Sequence, residues 1–141
     1  MIDKKRIEEV CTAVLSNPAF QPREGWTYCN WGLDLIMKLN YDYAGFQGLR
    51  ANDICDYLEI SPHWEKIDID DITDTDAPII AAQKNSVGSG HIALVLPWRD
   101  WTHSGKFKRT VPIVANIGKK NGLMGINWAF ATMPNFYVRV G

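Results

Sequence analysis

Apolar residues recur at helical spacing in the first half of the chain and in short unbroken runs in the second. Ile7, Val10, Cys11, Val14 and Leu15 fall on one side of a 3.6-residue period, which predicts an amphipathic helix over residues 4–16. Asn17-Pro18 closes it, because proline disfavours helical backbone in the residue before it. Pro22 and Gly25 keep the next segment irregular. Cys29, Leu33, Ile36 and Met37 then mark one face of a second helix ending near Asn40. A shorter third helix is expected over residues 51–58, with Ile54, Tyr57 and Leu58 turned inward.

After that the period changes. Residues 77–84, 91–97, 111–117, 126–130 and 136–140 are short runs rich in β-branched and aromatic residues, separated by Gly, Pro, Asn and Lys. Such runs predict sequential antiparallel strands. Helices first and strands second predict an α+β fold: N-terminal helices packed on one face of an antiparallel sheet of about five strands. No repeat, low-complexity tract or linker divides the chain, so residues 1–141 read as one domain.

Composition narrows the function classes. Apolar residues make up 46% and charged residues 22%, the balance of a chain that folds around a core. A formal net charge of −1 gives no electrostatic basis for binding nucleic acid. No stretch approaches the roughly 18 to 20 apolar residues of a membrane span. Basic residues Lys4, Lys5 and Arg6 are followed by Glu8 and Glu9 instead of an apolar run. That start does not read as a signal peptide, and the protein is expected to be cytoplasmic as made.

The cysteines bring in chemistry. Three of them, Cys11, Cys29 and Cys55, with no CxxC spacing, argue against a disulfide framework. Cys11 lies on the apolar stripe of the first helix and Cys55 in the third, where each reads as a small buried hydrophobe. Cys29 opens the second helix, where partial positive charge and unpaired N–H groups favour a thiolate. His91 begins a strand much later, and Asn116 lies near the end of the next. If those strands pair antiparallel through residues 98–110, His91 and Asn116 become neighbours. Asn116 can then orient the imidazole and leave its other nitrogen for the sulfur. Cys, then His, then a polar residue is the order of papain-type cysteine hydrolases. Trp26 and Trp31 are candidates for the wall of a groove, with at least one of them expected in the core, and Tyr28 is a candidate second oxyanion donor.

Two other clusters invite a metal. Asp68, Asp70, Asp71, Asp74 and Asp76 form an acidic run, but it lacks the glycine and terminal glutamate of an EF-hand loop. It reads as a solvated turn with helix-capping aspartates. Cys29, Cys55, His63, His91 and His103 show no pair at close zinc spacing. No metal and no cofactor are expected.

Tyr28-Cys29-Asn30 before a helix and Ser89-Gly90-His91-Ile92-Ala93-Leu94-Val95 as a strand resemble the nucleophile and Gly-His segments of CHAP-type amidohydrolase/peptidase domains, relatives of the NlpC-type cell-wall peptidases. Leu49 to Asp53, His63 to Ile67, and Val111 to Gly118 followed by Trp128-Ala129-Phe130 are similar to later segments of such domains. The resemblance runs from Gly25 to the C-terminus and leaves out residues 1–24. It implies a papain-like fold and a peptidoglycan hydrolase, either a stem-peptide endopeptidase or an amidase, with Cys29, His91 and Asn116 catalytic. It also implies delivery to the cell wall by a phage lysis or secretion system, and an immunity protein or inhibitor or a delivery protein as partner. A deamidase or acyltransferase acting on a protein side chain uses the same chemistry. A non-enzymatic module that holds a ligand or partner uses the same groove without it.

Overall fold

A computed structural model describes residues 2–141. The three expected helices are present as α1 (Lys4–Leu15), α2 (Cys29–Tyr41) and α3 (Ala51–Ile60). Asp3 caps α1 by accepting the Arg6 N–H at 3.1 Å. Helix α2 stops where Asp42 turns left-handed (φ 50°). In α3 the carboxylate of Asp53 accepts the Arg50 N–H, which satisfies a donor the helix cannot. Ile7, Cys11 and Val14 of α1, Leu33, Ile36 and Met37 of α2, and Ile54, Cys55 and Leu58 of α3 are all buried.

Eight strands follow. They are β1 (Trp64–Ile67), β2 (Ile79–Gln83), β3 (His91–Leu96), β4 (Thr102–Ser104), β5 (Arg109–Val111), β6 (Ile113–Asn116), β7 (Gly122–Gly125) and β8 (Asn135–Arg139). Six form one antiparallel sheet in the order β1-β8-β2-β3-β6-β7, and β4 and β5 pair separately as a hairpin. The chain is therefore α+β, with N-terminal helices on an antiparallel sheet.

The expected antiparallel sheet of about five strands has six, with β1 and β7 added to the runs read as strands. The strand expectations need three corrections. The sheet is not sequential, because β8 enters between β1 and β2 with Ala81 opposite Phe136. Residues 111–117 are split at Pro112, which has no N–H for a ladder. Residues 126–130 are not a strand: Ile126–Ala129 form a short helix, α4, that leads into Phe130. The Ile126 N–H is taken by the Pro112 carbonyl at 3.2 Å, and Lys106 Nζ caps the far end through the carbonyls of Asn127 and Phe130.

Each face of the sheet has its own core. Ile80, Ala82, Ile92, Leu94, Ala115 and Tyr137 pack under α1, α2 and α3. Ala81, Ala93, Val95, Val114 and Phe136 face the other way, onto Ile126, Phe130 and Val111. This is the period-2 alternation of a sheet buried on both sides, and it explains why its central strands read as continuous apolar runs. The acidic run is used for tethering and not for helix capping. Asp70 pairs with Arg109, Asp74 with Lys4, and Asp76 accepts the Ile2 N–H. Among the described residues, no cluster of His, Cys, Asp or Glu can hold a metal ion, and no helix is long and apolar enough to cross a membrane.

Candidate active site

Cys29 is the first residue of α2, and its thiol is buried against the helix-side core. The close seat of that helix depends on Gly32, one turn along. A Cβ there would come within 2.0 Å of Ile117, the residue just after β6. The backbone N–H groups of Ile92, Asn30 and Cys29 are directed at the sulfur and pull its pKa down. Burial acts in the opposite direction and prevails, so the thiol titrates above its ordinary value of 9.0. The expectation of a helix-favoured thiolate is thus overturned. The helix end does act on the sulfur, but Cys29 is only 6% exposed and desolvation outweighs it.

His91 and Asn116 meet as the strand order predicts. Leu94 of β3 lies opposite Ala115 of β6, which brings Asn116 onto the same face as His91, diagonally across the ladder. His91 Nε2 and Asn116 Oδ1 are 2.5 Å apart. Asn116 Nδ2 donates to the Lys120 carbonyl at 2.8 Å, so the amide oxygen is the atom turned to the ring. The proton of the neutral imidazole therefore sits on Nε2, and Nδ1 is the basic nitrogen. Asn116 is 3% exposed. The Phe130 ring lies 4.9 Å from the imidazole and helps bury it. Gly118 leaves room on another side, since a Cβ there would approach His91 Cε1 to 3.1 Å. Burial lowers the His91 pKa below 6.5, and the Asn116 hydrogen bond partly restores it.

The two halves meet at the start of β3. Among the described residues no hydrogen bond joins the imidazole to the sulfur. The link is through the backbone: Ile92, whose N–H faces the thiol, directly follows His91. The thiol lies with the helix-side core, whereas the imidazole contacts Phe130 of the opposite one.

A cleft of about 760 Å³ opens at Cys29. Trp26 and Trp31 line it at 70% and 60% exposure, so neither is a core residue, contrary to expectation. Trp26 is presented by a tight turn in which Glu24 and Gly25 both take positive φ, and Arg23 and Trp26 exchange backbone hydrogen bonds at 3.1 and 2.9 Å. Tyr28 also lines the cleft, with its ring 5.4 Å from Trp31. Sequence reasoning assigned no role to Asn52. It reaches from α3 to hold the loop before His91, donating to the carbonyls of Asn85 and Gly88 at 2.9 Å and accepting the Asn85 N–H at 3.0 Å. Only its place beside Ala51 at a helix start hinted at this. Cys11 and Cys55 are free and buried, as expected, with pKa values raised to about 12 and about 11. Neither a family model nor a curated protein matches the chain.

Proposed function

We propose that the protein is a papain-like cysteine hydrolase that cleaves an amide bond in peptidoglycan. The observation that carries the reading is the hydrogen bond from the half-buried His91 ring to the buried Asn116. It fixes a neutral imidazole with a basic Nδ1 at the strand end whose backbone also faces the Cys29 thiol. A binding module has no need of that arrangement. The resemblance of the Cys29 and Gly90-His91 segments to CHAP-type domains supports the choice of substrate.

In this reading Nδ1 of His91 takes the Cys29 proton as sulfur attacks the amide carbonyl. The raised thiol pKa and lowered imidazole pKa make the resting pair neutral, so proton transfer accompanies attack and does not precede it. The backbone N–H of Cys29 steadies the oxyanion, with Tyr28 as the candidate second donor. The C–N bond breaks, and the amine leaves with the proton from His91. A water then gives a proton to His91 and attacks the thioester, the C–S bond breaks, and the thiol regains its hydrogen. The chain's own residues complete this cycle without metal or cofactor.

Purified sacculi incubated with the protein should release new amino groups and muropeptides detectable by mass spectrometry, and Cys29→Ala and His91→Ala should release none. Export to the periplasm by an added leader should be toxic, whereas cytoplasmic expression should not. Intact sacculi, together with ammonia released from a protein substrate, would move the reading to deamidation.

A further inference from the structure

The cleft has one charge, and it is positive. Of the described side chains lining it, only Arg50 is ionised, and its neighbour Asp53 on α3 stands outside the lining. Arg50 is 87% exposed, and its one ion pair is a long 3.4 Å contact from Nε to Asp53. Among the described residues, both terminal nitrogens, the pair that grips a carboxylate side by side, are left uncommitted. Arg99 and Arg109, by contrast, end their terminal nitrogens on Glu8 and Asp70.

Arg50 is also placed with respect to the thiol. Asn30, the neighbour of Cys29, donates Nδ2 to the carbonyl of Leu49, the neighbour of Arg50, at 3.1 Å. The start of α2 and the residue preceding α3 are thereby held side by side. The first turns of both helices contribute to the cleft, and their partial positive charge adds to that of the guanidinium. Trp26 and Trp31 supply exposed apolar faces in the same space.

We infer that the cleft selects a substrate carrying a carboxylate near the scissile amide, gripped by Arg50, with an apolar portion against Trp26 and Trp31. This rests on Cys29 being the nucleophile, and the test separates the two claims. Alkylation of Cys29 by iodoacetate and by iodoacetamide is followed by peptide mapping, with the uncharged N-acetylcysteine amide as the reference thiol. Both reagents need the same thiolate, so its pKa cancels in the ratio of their rates. The acetate-to-acetamide ratio at Cys29 should exceed that of the reference. It should fall about tenfold in Arg50→Ala, the loss of one charge-assisted contact, invert in Arg50→Glu, and largely survive in Arg50→Lys.

The source of the carboxylate is read by competition. N-acetyl-alanyl-alanine offers a terminal carboxylate and N-acetyl-glutamyl-alanine amide a side-chain one. The acid that slows iodoacetate labelling more names the source. Equal slowing by their uncharged amides, or slowing by neither acid, overturns the inference. A ratio unmoved in Arg50→Ala overturns it too while leaving Cys29 as nucleophile. Failure of both reagents to label Cys29 removes both claims.

Discussion

The thiol half and the imidazole half of the site are built in opposite ways. Cys29 takes its surroundings from the start of one helix and opens to a wide cleft, with backbone N–H groups as its polar partners. His91 is enclosed by residues far away in the chain: Asn116 on β6, Gly118 after it and Phe130 beyond α4. Burial pushes the two groups toward the same outcome, the neutral form, because it raises the pKa of an acid and lowers that of a base. Each half also has a hydrogen-bonding correction that only partly cancels burial. A site assembled in this way holds an uncharged thiol and an uncharged base.

The largest expected effect comes from opening the imidazole half. Phe130→Ala removes a buried ring and should cost about 3–5 kcal/mol, read by urea denaturation. It also lets water reach His91. The imidazole pKa, followed by NMR, should rise toward 6.5, since burial is what holds it down. A cost that large with an unmoved imidazole would mean Phe130 is core and nothing more.

Asn116→Ala is a finer cut. It strands the His91 Nε2–H and the Lys120 carbonyl, at a cost of about 1–3 kcal/mol. Activity should drop without vanishing, because the orienting group supports the base and does not react. The acid limb of the pH–rate profile should move to lower pH, since the lost hydrogen bond had raised the His91 pKa. An unshifted limb would show that Asn116 only packs. On the thiol side, Gly32→Ala forces its Cβ onto Ile117 and should cost about 1–3 kcal/mol, toward the lower end because a side-chain tip can turn aside. Its use is diagnostic: Cys29 alkylation should change while the His91 NMR signal stays fixed.

The same contrast explains what could be read from the sequence. The thiol half was legible, since α1, α2 and α3 follow from periodicity and Cys29 from its place at a helix start. What could not be read there was the balance at the sulfur, because a motif shows the N–H groups but not the burial that outweighs them. On the imidazole side the pairing of His91 with Asn116 followed from the order of two neighbouring strands. The enclosure did not, because α4 hides in the four residues Ile-Asn-Trp-Ala that read equally well as strand. The insertion of β8 between β1 and β2 was also out of reach, since alternation tells which residues form strands and not which strands pair.

The smallest effect is a matter of one proton in each half. In the thiol half, Cys29 should alkylate before Cys11 and Cys55, because it alone of the three lines the cleft. With its pKa above 9.0, its rate should keep climbing with pH well past neutrality. A plateau already reached near pH 6 would reveal a thiolate–imidazolium pair and erase the contrast with ion-paired cysteine sites. In the imidazole half, the folded protein holds His91 neutral at a pH where the unfolded chain binds a proton. Unfolding therefore takes up a proton as pH falls below about 6.5, and stability declines until the lowered folded pKa is passed. One proton limits the slope to about 1.4 kcal/mol per pH unit. His91→Gln, which does not titrate, should flatten that part of the urea midpoint curve between pH 6.5 and the acid transition. An equal slope in the variant would assign the acid sensitivity to groups other than His91, and would leave the imidazole as solvated as any surface histidine.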